Sequence, residues 1–161
     1  MRFLTYSLFV LVSFTGMMSL PADEAAVKEA SFDCGLNAAY IYLNRAGHHV
    51  AYDELVRDFL GQTPPDSLLA IRNVLAMHGC RTVAVQSDPA FLLEQSGPAI
   101  VYLELDGYSL NGERHFSYMV RASKRDGVAF LDPLFEVNRA SVMTWDTFTR
   151  IFKGIALVAH E

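Results

Sequence analysis

The hydrophobic positions of the chain repeat with a helical period in its first half. Between Cys34 and Asn44, apolar side chains recur every three to four positions from Leu36 to Leu43. This spacing puts them on one side of an amphipathic helix. Asp33 just before the stretch is a suitable N-cap, and Gly47 just after it is a suitable stop. We therefore predict that this helix begins at Cys34.

Two more helices are predicted before the pattern changes. One covers Tyr52 to Leu60, and its spacing directs Leu55, Phe59 and Leu60 inward. The other covers Ser67 to His78. Each of them is followed by a glycine, which commonly ends a helix.

In the second half the pattern consists of short apolar runs separated by turn residues, which is typical of β-strands. Strands are predicted over 81–86, 98–105, 115–121, 128–132 and 154–160, with short helices over 89–95 and 146–152. Helices first and strands second indicate an α+β fold, in which N-terminal helices pack on a C-terminal antiparallel sheet.

Composition and charge limit the classes of function. The chain has 161 residues, of which 52% are hydrophobic and 19% charged, so it can form one folded domain with a substantial core. The net charge is -5, and the 13 basic residues are scattered along the chain. Nucleic-acid binding needs clustered Lys and Arg, so we predict no nucleic-acid partner.

The N-terminus has the pattern of an export signal. Arg2 is followed by an apolar run over residues 3–12. We expect residues 1–22 to be a signal peptide or, if it is not cleaved, a membrane anchor through residues 3–20. The folded domain is then expected over 27–158, either exported to the periplasm or the extracellular space, or held at the membrane.

Cys34 and Cys80 are the only cysteines, and their surroundings differ. Cys34 opens the first predicted helix, where the helix dipole and the unpaired N–H groups favour a thiolate, the reactive form of a thiol. Its backbone N–H can also face a developing oxyanion. Cys80 enters an apolar strand, as a small core residue does. A Cys34–Cys80 disulfide stays open as an alternative, because disulfides are common in exported proteins.

His115 is the candidate base for Cys34. It begins a predicted strand and so lies at the rim of the sheet. An imidazole there can take the thiol proton and later give it to a leaving amine. Taken alone, His115 also has a purely structural interpretation, as a hydrogen-bonded histidine at the sheet rim.

Asp132 ends the next predicted strand. With the turn centred on 124–127, Ala122 faces about Val128, and Asp132 then falls opposite about Tyr118, close to His115. A carboxylate there can accept the imidazole N–H and fix its tautomer. The alternative is a turn-initiating Asp-Pro pair with no chemical role.

Several segments of the chain, taken in order, resemble a known family. They are DCGLNAAYIYLNRAGHHVAYDELV, SGPAIVYLEL, RHFSYMV, VAFLDP and WDTFTRIFKGIALV. Together, from about Val27 to Val158, they resemble the bacteriocin-processing cysteine peptidase domain that cuts double-glycine leaders and has a papain-like fold. The resemblance implies a cysteine peptidase with Cys34 as nucleophile, His115 as general base and Asp132 as the residue that orients the base.

The chain departs from this family on the oxyanion side of the site. The family has a Gln six residues before the nucleophile, and Lys28 stands at that position here. A flexible ammonium can donate to an oxyanion, but it is less preorganised than an amide. Loss of such a donor costs about 3 to 4 kcal/mol of barrier, so a slow or inactive enzyme stays open as the alternative to an active one.

The sequence predicts no cofactor. In the family the domain is often the N-terminal part of an ATP-driven exporter, but no P-loop pattern occurs here, so we predict no ATP binding. We predict no metal site either. The adjacent His48 and His49 point in different directions, and His78 with Cys80 lacks a second matching pair.

Three functions remain open from the sequence. The first is a peptidase that cuts a peptide or protein held in extended conformation. The second is a weak or inactive peptidase-like module that binds such a peptide without cutting it, because Lys28 replaces the expected Gln. The third is a structural domain held by a Cys34–Cys80 disulfide.

Overall fold

The computed structural model describes residues 34–64, 67–95, 97–105, 114–132 and 140–160. The predicted signal or anchor segment, Lys28 and the Asp33 cap lie outside these residues, so their roles stay predictions. Within the described ranges, no helix is both long enough and apolar enough to cross a membrane.

Three helices open the described chain, as the hydrophobic spacing predicts. They are α1 (Cys34–Arg45), α2 (Tyr52–Leu60) and α3 (Leu68–Met77). The Ser67 hydroxyl caps α3 by accepting a hydrogen bond from the Ala70 amide at 3.0 Å. Such a cap satisfies one of the N–H groups that the first turn of a helix leaves unpaired.

One predicted core position of α2 is wrong. Leu55, Val56 and Phe59 are buried, but Leu60 is 68% exposed. Leu60 follows Leu55 by five positions, which turns it about 140° around the helix and away from the buried side.

The second half of the chain forms strands β1 (Thr82–Gln86), β2 (Ala99–Glu104), β3 (Arg114–Ser123), β4 (Gly127–Leu131), β5 (Ala140–Met143) and β6 (Phe152–Ala159), with short helices α4 (Phe91–Glu94) and α5 (Trp145–Ile151). The strands make one antiparallel six-stranded sheet in the order β1-β6-β2-β3-β4-β5. The sequence-based prediction omits β5. This strand has only four residues, lies at the sheet edge and buries none of them fully, so it produces no apolar run.

The sheet separates two hydrophobic clusters. On one face, the helices α1, α2 and α3 pack against Ile100, Tyr118 and Leu157. On the other face, Leu92 of α4 and Phe148 of α5 pack against alternate side chains of the strands. The N-terminal helices therefore cover one face only, and α1 lies against β3.

The β3–β4 hairpin differs by one residue from its predicted register. Ala122 pairs with Val128 as predicted, but Tyr118 pairs with Leu131 instead of Asp132. The register shifts at a bulge between Met119 and Arg121, where β3 contains one extra residue. Asp132 therefore lies one position closer to His115 than the unbulged hairpin would place it.

Candidate active site

Cys34 is the first residue of α1, and its side chain is partly exposed. Its sulfur accepts a hydrogen bond from the backbone N–H of Phe116 in β3 at 3.3 Å. The pairing of β3 with β4 stops at Tyr118 and Leu131, so the Phe116 amide lies beyond the last paired residue of β4. An N–H donor at this distance stabilises negative charge on the sulfur.

His115 precedes Phe116 in β3 and contacts a carboxylate. Its Nε2 lies 2.6 Å from Oδ2 of Asp132, and the two side chains are only 12% and 4% exposed. So short and buried a contact has the character of a charge-assisted hydrogen bond. Because Nε2 faces Asp132, Nδ1 is the ring nitrogen that can serve Cys34.

The pKa of His115 reflects both of its partners. Burial lowers this pKa, but the hydrogen bonds to Asp132 and Cys34, together with the negative charges of both, outweigh burial and raise it from 6.5 to about 9. His115 is therefore an imidazolium at neutral pH. The Cys34 sulfur therefore lies beside both this buried cation and the Phe116 N–H.

The three sequence-predicted residues come from different elements, and the structure brings them together. Cys34 starts α1, while His115 and Phe116 lie near the start of β3, so that the hydrogen-bonded Cys34 and Phe116 are 82 positions apart in the chain. Asp132 directly follows β4 and is 5% exposed. The tight turn between β3 and β4 is what returns the chain to His115.

A hydrogen bond joins Asn37 of α1 to Tyr52 of α2. Oδ1 of Asn37, one turn after Cys34, accepts a hydrogen bond from the Tyr52 hydroxyl at 3.0 Å. The Tyr52 ring also packs edge-on against Tyr40, with 5.2 Å between ring centroids. The sequence prediction singled out neither Asn37 nor the Phe116 amide. A polar residue early in an otherwise apolar helix was the available signal for Asn37.

The Cys34–Cys80 disulfide is wrong, because both cysteines are free. Cys80 is 8% exposed and lies near Tyr42, eight positions after Cys34 in α1. Burial raises the pKa of the Cys80 thiol, which makes it the less reactive of the two.

Comparisons with known proteins agree with this arrangement. The family model described as the peptidase C39 family matches residues 24–161. A solved double-glycine motif protease from an AMS/PCAT transporter, in complex with its leader peptide, is 17% identical over 79% of this chain and 83% of its own, with a TM-score of 0.63.

A second solved structure is the peptidase domain of Streptococcus ComA, a bifunctional ABC transporter involved in a quorum-sensing pathway. It is 17% identical over 80% of this chain and 91% of its own, with a TM-score of 0.65. At this identity both structures bear on the fold alone. No curated protein gives a significant match.

Proposed function

The chain belongs to the peptidase C39 family, and from that premise we propose that it hydrolyses peptide bonds with Cys34, His115 and Asp132. The observation that carries this proposal is the position of His115 between two partners. It is hydrogen-bonded to Asp132 through Nε2 and to the Cys34 side chain as well. A base held between a carboxylate and a thiol is the arrangement that nucleophilic catalysis by cysteine requires.

The proposed reaction has two stages. The Cys34 thiolate attacks the carbonyl carbon, forming a C–S bond and moving the carbonyl electrons onto oxygen. As the intermediate collapses, the C–N bond breaks and the His115 imidazolium gives its proton to the departing amine. His115 then takes a proton from water, the resulting hydroxide attacks the thioester, and the thiolate leaves as the acid product forms. Asp132 keeps the imidazole ring oriented throughout.

We propose an extended peptide as the substrate, cut after a pair of glycines. One solved neighbour is a double-glycine motif protease in complex with its leader peptide, which supports this substrate class. The partly exposed thiol at the start of α1 gives a peptide backbone access to the sulfur. The proposed site of action is outside the cytoplasm, in line with the signal-like N-terminus.

Alkylation by iodoacetamide tests the nucleophile without needing a substrate. In a Cys80→Ala background, Cys34 is expected to react faster at neutral pH than glutathione, because its sulfur contacts His115 and accepts from the Phe116 N–H. His115→Ala should slow the reaction by about tenfold or more. His78→Ala is the matched control, since His78 also pairs with an aspartate, Asp58, at 2.7 Å, but at the far end of α3. If Cys34 of the Cys80→Ala chain is alkylated no faster than glutathione, the proposal is rejected.

The alternative function is peptide binding without cleavage, and Lys28 in place of the expected Gln is what favours it. Under this alternative a peptide with two adjacent glycines binds saturably, and mass spectrometry detects no cleavage product. Lys28→Gln should then produce turnover, because a side-chain amide replaces an ammonium at the oxyanion side. Cleavage by the unaltered chain excludes this alternative.

A further inference from the structure

The oxyanion side of the proposed reaction lacks a side-chain amide at position 28, but another side-chain amide lies one helical turn after the nucleophile. Asn37 follows Cys34 by three positions in α1 and is partly buried. Residues three apart on a helix have Cβ atoms roughly 5–6 Å from each other. Helical side chains lean toward the N-terminus, so the Asn37 side chain covers the turn that holds Cys34.

The position of Asn37 around α1 puts Cys34 between two polar groups. Each residue turns the helix by about 100°, so Asn37 lies about 60° to one side of Cys34. Tyr42 lies about 80° to the opposite side, and there it contacts Tyr118 of β3, with 5.8 Å between ring centroids. The strand that carries His115 therefore flanks Cys34 on one side, and Asn37 flanks it on the other.

Tyr52 fixes the direction of the Asn37 amide. Tyr40 lies about 120° from Cys34 on the same side as Asn37, and the Tyr52 ring packs against it. Tyr52 thus approaches Asn37 from the side away from Cys34, and its hydroxyl donates to Oδ1 at 3.0 Å. The nitrogen of an amide points away from its oxygen, so an Asn37 amide whose oxygen accepts from Tyr52 turns its Nδ2–H₂ group away from the Tyr52 hydroxyl.

We propose that Asn37 is a catalytic residue, whose Nδ2–H donates to the carbonyl oxygen of the scissile bond while negative charge develops there. Tyr52 is its positioning residue. This inference rests on the proposed peptidase function and adds a residue to it. A preorganised amide donor is the kind of group that stabilises a tetrahedral oxyanion. Asn37 is the side-chain donor to the oxyanion, a role for which the flexible Lys28 is poorly suited. The Cys34 backbone N–H is the second donor.

Two reagents separate this role from the function of the nucleophile. Iodoacetamide reacts by displacement of iodide at a saturated carbon, so no oxyanion forms. With p-nitrophenyl acetate, the thiolate attacks the carbonyl carbon, the carbonyl electrons move to oxygen, and collapse expels p-nitrophenolate to leave acetylated Cys34. An oxyanion donor therefore speeds acylation and leaves alkylation unchanged.

The experiment measures both rates in the full chain carrying Cys80→Ala. Asn37→Ala is expected to slow acylation by about tenfold or more while alkylation changes less than about twofold. Tyr52→Phe keeps the ring against Tyr40 but removes the hydroxyl, and it should slow acylation by a smaller factor. Asn44→Ala is the matched control on the same helix, because the Asn44 amide donates to the Tyr40 carbonyl, away from Cys34.

Each outcome bears on one of the two proposals. Slow alkylation of the chain that carries Cys80→Ala alone rejects the peptidase function. If alkylation is fast and Asn37→Ala leaves the acylation rate unchanged, only the oxyanion role of Asn37 is rejected and the peptidase function stands. An equal fall of both rates also rejects it, since a structural effect on Cys34 would slow both reactions. A thermal unfolding curve for each variant identifies one that fails to fold, and Tyr52→Phe then supplies the selective loss of acylation.

Discussion

His115 is protonated in the folded chain over a pH range in which an ordinary histidine is neutral, because its pKa rises from 6.5 to about 9. A raised pKa means that the folded state holds the proton more tightly than the unfolded state does. The stabilisation is complete below about pH 6.5 and is lost as the pH rises through about 9. We therefore expect the free energy of unfolding to decrease between these two pH values.

His115→Gln isolates this contribution. Urea denaturation of both proteins across that pH range should give a clear decrease for the wild type and a flatter profile for the variant. The variant is also expected to be less stable at neutral pH, because the 5%-exposed Asp132 loses its cationic partner. Parallel pH profiles for the two proteins would contradict the assigned link between His115 and stability.

The sequence could predict some site residues and not others, for a physical reason. Cys34 and His115 follow from local signals, a helix start and a strand start, and Asp132 follows from the length of one hairpin. The Phe116 amide could not be predicted, since every residue except proline has a backbone N–H. This N–H can donate to the Cys34 sulfur because β4 stops pairing with β3 before it reaches Phe116. Asn37 depends likewise on where α2 packs.

At the scale of elements, the turn between β3 and β4 depends on Gly127. Its φ is 83°, in the left-handed region, and a Cβ on it would overlap the Met143 carbonyl oxygen of β5. An L side chain pays about 1–2 kcal/mol for this backbone conformation alone. Because β5 must also shift, we expect Gly127→Ala to lower the free energy of unfolding by more than about 2 kcal/mol in urea denaturation.

Two other glycines serve as controls, one for the cost of the backbone conformation and one for substitution at a site without strain or close contact. Gly47 has a φ of 86° but nothing within 4 Å of an added Cβ, so Gly47→Ala should show the conformational cost alone. Gly97 has neither a positive φ nor a close neighbour, and Gly97→Ala should change stability little. If Gly127→Ala is no worse than Gly47→Ala, the contact with β5 contributes nothing.

The elements also show how far hydrophobic spacing determines a fold. The spacing located α1, α2 and α3 because each buries a continuous stripe, and it located β2 because all but two of its six residues are buried. It missed the β3 bulge, since the extra residue alters the pairing with β4 without changing the apolar pattern. The position of Asp132 beside His115 depends on that one-residue shift.

At the scale of the whole molecule, the site lies where α1 meets the sheet, so its geometry depends on one of the two hydrophobic clusters. Leu36 in the first turn of α1 belongs to the cluster between the helices and the sheet. Leu92 in α4 belongs to the cluster on the opposite face. The two leucines are 2% and 1% exposed, so each is a fully packed side chain.

The last prediction compares the same truncation on the two faces. Leu36→Ala and Leu92→Ala should each lower the free energy of unfolding by about 2–5 kcal/mol, since both shorten a buried isobutyl group to a methyl group. At a temperature where both variants stay folded, only Leu36→Ala is expected to slow the alkylation of Cys34, because it loosens the helix turn that holds the sulfur against the Phe116 amide. Near-attack geometry is sensitive to displacements of about 1 Å. Equal slowing by Leu92→Ala would mean that the far face of the sheet controls the site as strongly as the helical face does.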